Sequence, residues 1–249
     1  ASDQLRTNEL FTEYTFFGGY PGVILADTEK DKRQVLSEIY QSYLVRDISF
    51  LLGVEKTDAF TALTRLLASR VGNLTAVSTI GADLGISAPT VKHYLWYLEK
   101  TYIVQRIAPY VRNARKEITK MPVYYFHDLG MRNLAIQFRS DLITGTESGS
   151  TFENLVFTLL RDRIGTVTNT VNFWRTKSGA EVDFVIDQAE GPTPYEVKIS
   201  AGAIKSASRS LASFIEHYRP KQAFIITKKD RGKIESRGAT IHVRPFYEL

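Results

Sequence analysis

The 249-residue chain has no cysteine. That excludes a disulfide framework, a thiol nucleophile, an iron–sulfur cluster and any cysteine-ligated zinc, and it fits a reducing compartment. Histidine is scarce too. His93, His127, His217 and His242 stand apart, with no His-x-His or His-Glu-x-x-His spacing, so a zinc site of those kinds has no support. No Gly-x-Ser-x-Gly occurs, which removes the serine hydrolases built on that turn. No apolar run approaches the ~18 residues of a membrane-spanning helix. The opening Ala-Ser-Asp-Gln lacks the basic and apolar regions of a signal peptide. It also lacks an initiating Met, as a fragment or trimmed chain would. A cytoplasmic protein without a membrane partner is the expectation.

What is present is ordinary globular material, 43% hydrophobic and 24% charged. The length suffices for one large domain or two small ones. The net charge of +5 is unevenly spread. Residues 1–85 sum to −3, 86–120 to +5, 121–197 to −4 and 198–249 to +7. Two basic segments offer a polyanion two places to land, although basic faces are also commonly just solvated.

No internal repeat or low-complexity tract is present. Residues 1–20 are mixed and aromatic-rich and end in the turn-forming cluster Gly18-Gly19-Tyr20-Pro21-Gly22. A helical stretch is predicted over about Thr28–Phe50, with Val35, Ile39, Tyr43 and Leu44 on one face. Three short helices follow. The first carries Phe60, Leu63, Leu67 and Val71; the second, about Ala76–Leu84, is closed by Gly85; the third starts after Ser87 and runs to about Thr101. Beta-rich stretches Ile103–Val111 and Met121–His127 come next, joined through the basic run Arg112-Asn-Ala-Arg115-Lys116.

After the small polar loop Gly145–Ser150 an α/β pattern begins. It reads helix Phe152–Arg163, strand Val171–Arg175, strand Ala180–Ile186, a loop with Gly191-Pro192, and strand Tyr195–Ile199. A helix over about Ala203–Tyr218, strand Gln222–Thr227 and a short strand Thr240–Val243 complete it. The expected fold class is α/β (α+β overall), with a helical connector at 1–57, a winged helix-turn-helix domain at 58–145 and a mixed-sheet domain at 146–249.

Helix, helix, tight turn, helix and β-hairpin is the order of a winged helix. Gly85 permits the turn between helices two and three. Ser87 and Thr90 stand at the amino end of the third helix, where free N–H groups and hydroxyls suit phosphate or base edges, and Lys92 and His93 extend that face. Arg112, Arg115 and Lys116 would form a wing tip against backbone phosphates. Such modules also serve as protein-interaction domains, with Trp96 and Tyr97 covered by neighbouring structure.

A second constellation is Asp183 in Glu181-Val-Asp-Phe-Val-Ile186, followed by Glu196-Val-Lys198. Alternate residues of a strand share a face, so Glu196 and Lys198 point the same way. Asp183, thirteen positions earlier, falls on the adjacent strand of a hairpin, and Glu153 lies in the first turn of the helix that opens the unit. Hard carboxylate oxygens suit Mg²⁺, which activates water and polarises a phosphoryl oxygen; a lysine can orient the water or stabilise developing charge. A structural ion pair at the sheet edge is an equal reading of the same residues. His127-Asp128 reads as a strand end and helix cap, and Arg46-Asp47 as an ion pair.

Glu153, Asp183 and Glu196-Val-Lys198 resemble the PD-(D/E)XK nuclease superfamily, with its restriction-endonuclease-like fold, and within it the archaeal Holliday-junction-resolvase type of domain. The resemblance implies Asp183 and Glu196 as metal ligands for Mg²⁺, Lys198 as catalytic lysine and Glu153 as the acid that completes the site. Val182 stands where the pattern has Pro. A wider set, Phe17-Gly-Gly-Tyr-Pro21, Tyr43-Leu-Val-Arg-Asp-Ile48, the winged-helix segment, Tyr124–Asn133 and Phe152-Glu-Asn154 through Lys198, resembles the C-terminal region of prokaryotic AAA-type ATPases. That region is catalogued as a domain of unknown function. No Gly-x-x-x-x-Gly-Lys-Ser/Thr occurs here, so ATP would bind only through an ATPase domain absent from this chain, which could also drive homo-oligomerisation. The expectation is a DNA-binding, nuclease-like portion of an ATPase. The rival is a non-catalytic DNA- or protein-binding regulatory module.

Overall fold

The computed structural model describes residues 2–42, 57–111, 121–138, 148–164, 170–188, 190–199 and 208–249. The fold is α+β and divides into two compact units, Ala1–Arg106 with Val123–Thr151 and Ile107–Pro122 with Phe152–Leu249.

The first unit is helical. It contains α1 (Ser2–Phe17), α2 (Pro21–Ile24), α3 (Glu29–Ile39), α4 (Thr57–Ser69), α5 (Val77–Leu84), α6 (Ala88–Lys100) and α7 (Leu129–Ala135), with the paired strands β1 (Val104–Ile107) and β2 (Val123–Phe126). Gly85 ends α5 in the left-handed conformation at φ +64°, which only glycine adopts without a Cβ penalty. Ser87 caps α6 by accepting the Thr90 N–H. Phe60, Leu63, Ile80, Val91, Tyr94, Leu95 and Leu98 are the buried stripes of these three helices. The helix read over Thr28–Phe50 is α3, capped by Thr28; residues 43–56, with Arg46-Asp47, lie outside the described residues.

One motif holds this unit together. Asp128 caps α7 and accepts N–H groups from Met131 at 2.9 Å, from Gly19 at 2.7 Å and from Gly130. Gly18 and Gly130 leave no room for a side chain there: a Cβ on the first would strike the Asp128 carboxylate, and one on the second the Phe17 carbonyl. Asn133 donates to the carbonyls of Thr15 and Phe16 at the end of α1. Arg132, 1% exposed, donates to the Ala68 carbonyl and the Thr151 hydroxyl. The Tyr124–Asn133 run is therefore a structural junction, with every charge met by hydrogen bonds, as burial demands.

The second unit is α8 (Ser148–Ile164, which begins in the first unit), then β3 (Val171–Arg175), β4 (Glu181–Gln188), β5 (Gly191–Lys198), α9 (Arg209–Tyr218), β6 (Gln222–Thr227), β7 (Gly232–Ser236) and β8 (Ala239–Pro245). The sheet order is β3-β4-β5-β6-β8-β7. β3, β4 and β5 form an antiparallel meander, while β6 is parallel to both β5 and β8. α9 covers one face through Leu211, Phe214 and Ile215, packed with Trp174, Val182, Val185, Ala223 and Ile225. Phe184 turns the other way, against Phe157 of α8.

Several details differ from the sequence reading. The Gly191-Pro192 pair lies within β5 rather than in a loop. Proline is tolerated there because β5 pairs only with β4 until Tyr195, where β6 joins. α8 starts at Ser148, so Glu153 sits in its second turn, not its first. β7 is an additional strand. The stretch Ile103–Val111 is not one wing strand. Val104–Ile107 pairs with β2, whereas Ala108–Tyr110 lies along the β3 edge: Tyr110 N–H donates to the Phe173 carbonyl and Phe173 N–H to that of Ala108. The Tyr110 ring is buried with Trp174 and Phe214. Arg112, Arg115 and Lys116 lie outside the described residues.

Candidate functional site

The β3–β4 register builds the site. Asn172 pairs with Val185 but Trp174 with Val182, so Phe173 opposes both Asp183 and Phe184. This is a β-bulge on β4, a device that re-aims side chains and stops regular pairing. It explains why Val182 and Val185, three apart, share one core face. The β4–β5 ladder ends at Phe184↔Tyr195, and one further step sets Asp183 opposite Glu196. There the Val197 N–H donates to Oδ2 of Asp183 at 2.6 Å, replacing a ladder bond by a side-chain bond.

Glu196 is 4% exposed. Its Oε1 lies 2.8 Å from the Lys198 ammonium, and its Oε2 accepts from the Ser208 hydroxyl at 2.7 Å. Ser208 also caps α9 through the Leu211 N–H, so the helix start and the buried acid share one hydroxyl. Lys198 is half-exposed, which opens the cluster to solvent. Glu153 on α8 is partly exposed and acts on Lys198 electrostatically.

Burial pushes the Asp183 carboxyl up to about 7; the charges of Glu196 and Glu181 push the same way, while the Val197 amide and Lys198 oppose them. For Lys198, desolvation pulls downward. The hydrogen bond to Glu196, its charge, and those of Asp183 and Glu153 overcome that pull, and the net shift is upward. Asp183, Glu196 and Lys198 thus lie together, and Glu153 lies within electrostatic reach of Lys198. Ser208 was not among the expected residues. Its signal was a Ser three positions before a buried Leu, hidden because the helix was expected to begin near Ala203.

The donor set suits a hard cation only in part. Asp183 and Glu196 supply carboxylate oxygens from facing strand positions, and Mg²⁺ binds through one or two carboxylates with waters and phosphate oxygens completing its shell. Among the described residues no three His, Asp or Glu side chains gather as a metal-holding group.

On the first unit, Ser87 and Thr90 hydrogen-bond each other, their hydroxyl oxygens 2.7 Å apart, while Lys92 and His93 are exposed on α6. Trp96, 50% exposed, lies on the same side of the helix. No helix among the described residues is long and apolar enough to cross a membrane.

Residues 8–142 match a domain of unknown function, DUF8612, and the chain belongs to that family. Residues 148–248 match a second domain of unknown function, DUF4143. Similar proteins are themselves uncharacterized. One from Haemophilus influenzae is 29% identical over 161 residues, covering 63% of this chain and 39% of its own length. One from Mycobacterium tuberculosis is 27% identical over 199 residues, covering 79% of this chain and 44% of its own. One from Methanocaldococcus jannaschii is 27% identical over 179 residues, covering 70% and 38%. The chain therefore spans about four-tenths of the length of these relatives.

Proposed function

We propose that the chain is the DNA-handling portion of a larger, AAA-type ATPase, with a PD-(D/E)XK-like unit that hydrolyses phosphodiesters in DNA. The observation that carries this reading is the meeting of Asp183, Glu196 and Lys198 at the end of the β4–β5 ladder. The helix–three-strand–helix–strand order of α8, β3–β5, α9 and β6 supports it, as do the basic segments at 86–120 and 198–249.

Asp183 and Glu196 are the residues that would hold Mg²⁺. When bound, that ion polarises a phosphoryl oxygen and lowers the pKa of its water. Lys198, half-exposed and paired with Glu196, would stabilise negative charge developing on the phosphate. Ser208 fixes the Glu196 rotamer. Glu153 holds negative charge near Lys198 and favours its protonated form.

The test is cleavage of linear, branched and single-stranded DNA with Mg²⁺ or Mn²⁺ by the chain and by Asp183→Ala and Lys198→Ala. Loss of a group that stabilises the transition state costs about 10²–10³-fold in rate, so both variants should fall at least that far. Cleavage that persists in both removes the site.

A second reading is favoured by one observation: both oxygens of Glu196 already have partners, Lys198 and Ser208. A non-catalytic module of the same fold would keep that closed arrangement. It would show no Mg²⁺-dependent change in melting temperature.

A further inference from the structure

The exposed face of α6 carries more than the small hydroxyls and cations of a groove-reading helix. Lys92, His93, Trp96 and Lys100 are exposed and Tyr97 is partly so, at spacings that place them along one side. The His93 and Trp96 rings are within 3° of parallel, with centroids 6.5 Å apart. Tyr97 stands edge-on to both, at 4.9 and 5.0 Å. The Lys100 ammonium lies 6.0 Å from the Trp96 ring centre. The one acid of the helix, Glu99, is turned toward the Tyr124 hydroxyl.

We propose that this face is a stacking platform for unpaired nucleobases, with Lys92 and Lys100 meeting the flanking phosphates. The inference rests on the DNA-handling reading above and narrows its substrate to single-stranded or branched nucleic acid. In a duplex each base's π-face is covered by its neighbours, and a groove offers base edges and phosphates, which call for hydrogen-bond donors and cations. Bare parallel rings have nothing to stack on there. An unpaired base presents its π-face to any aromatic, and cations beside the rings complement the strand's charge, the combination that single-strand binding uses. An exposed tryptophan left to water is otherwise an apolar liability.

The chain reports on this directly, because it has two tryptophans and the other, Trp174, is 6% exposed in the core of the second unit. Tryptophan fluorescence is titrated with an oligo-dT 12-mer and, separately, with a blunt 12-base-pair duplex. The single strand should quench Trp96 and bind more tightly than the duplex. Trp96→Ala should lose the quench and weaken single-strand binding about ten-fold, with duplex binding unchanged. Trp96→Phe keeps a ring and should retain affinity within about three-fold. Trp96 is solvent-facing, so thermal melts of both variants should match the parent. Single-strand binding that is equal in Trp96→Ala overturns the platform. Duplex binding that exceeds single-strand binding overturns it while leaving the DNA-handling reading intact. Binding of neither overturns both.

Discussion

Asp128 in the first unit and Asp183 in the second begin from the same physics. Each follows or interrupts a strand, and burial raises the pKa of each. They differ in what meets the carboxylate. Asp128 is surrounded by backbone amides, from Gly19, Gly130 and Met131. Asp183 meets one amide and then charged side chains: Glu196 opposite, Lys198 beyond it, Glu181 beside it. A buried acid surrounded by main-chain donors pins the fold. A buried acid surrounded by other acids raises electrostatic strain that a cation can relieve.

The comparison is most exposed to failure at Gly130. A Cβ there meets the Phe17 carbonyl, which belongs to the backbone and cannot swing aside. Gly130→Ala should destabilise the first unit by about 3 kcal/mol, the upper range of overpacking, read as a fall in urea midpoint. A variant as stable as the parent would mean that Asp128 and its glycines are not a lock.

Next in size is a pair of like substitutions with opposite results. Asp128→Asn removes acceptor capacity facing three N–H groups and should cost about 2 kcal/mol at pH 7. Asp183→Asn removes a charge that burial disfavours. The folded pKa of about 7 lies above the ordinary value near 4, so stability is fully present below about pH 4 and falls as pH rises toward 7. Asp183→Asn should therefore melt higher than the parent at pH 8 and match it at pH 4. Equal pH profiles for the parent and Asp183→Asn would remove the distinction between the two acids.

The smallest effect is at Ser208. Ser208→Ala loses the α9 cap, worth about 1 kcal/mol, and frees one oxygen of Glu196. Circular dichroism melts should show that modest loss. Ser208→Thr, which keeps the hydroxyl, should restore it.

Much of the scaffold was legible because local chemistry and tertiary packing agreed. β3 and β6 have the bounds their apolar runs predicted, and Gly85 and Ser87 mark helix ends by backbone chemistry alone. α1 was obscure because Leu5, Leu10, Phe11, Phe16 and Phe17 are spread around the helix and form no single apolar stripe. β7 offers one aliphatic residue, Ile234, in Gly-Lys-Ile-Glu-Ser, since an edge strand need not be apolar. At the site, alternation along β5 paired Glu196 with Lys198. The bulge at Asp183 was invisible, because it arises from the register of β3 against β4 and not from any residue of β4 by itself.

The short run Ala108–Tyr110 bears on how this polypeptide can be dissected. Tyr110 fills the space beside Trp174, Phe214 and Tyr218, and its backbone seals the outer margin of β3. A piece excised at residue 148, where the second family match begins, would leave that margin unsealed and a hole in its interior. The sequence-defined module and the compact unit are different stretches of chain. The latter borrows a strap from forty residues upstream of its first helix.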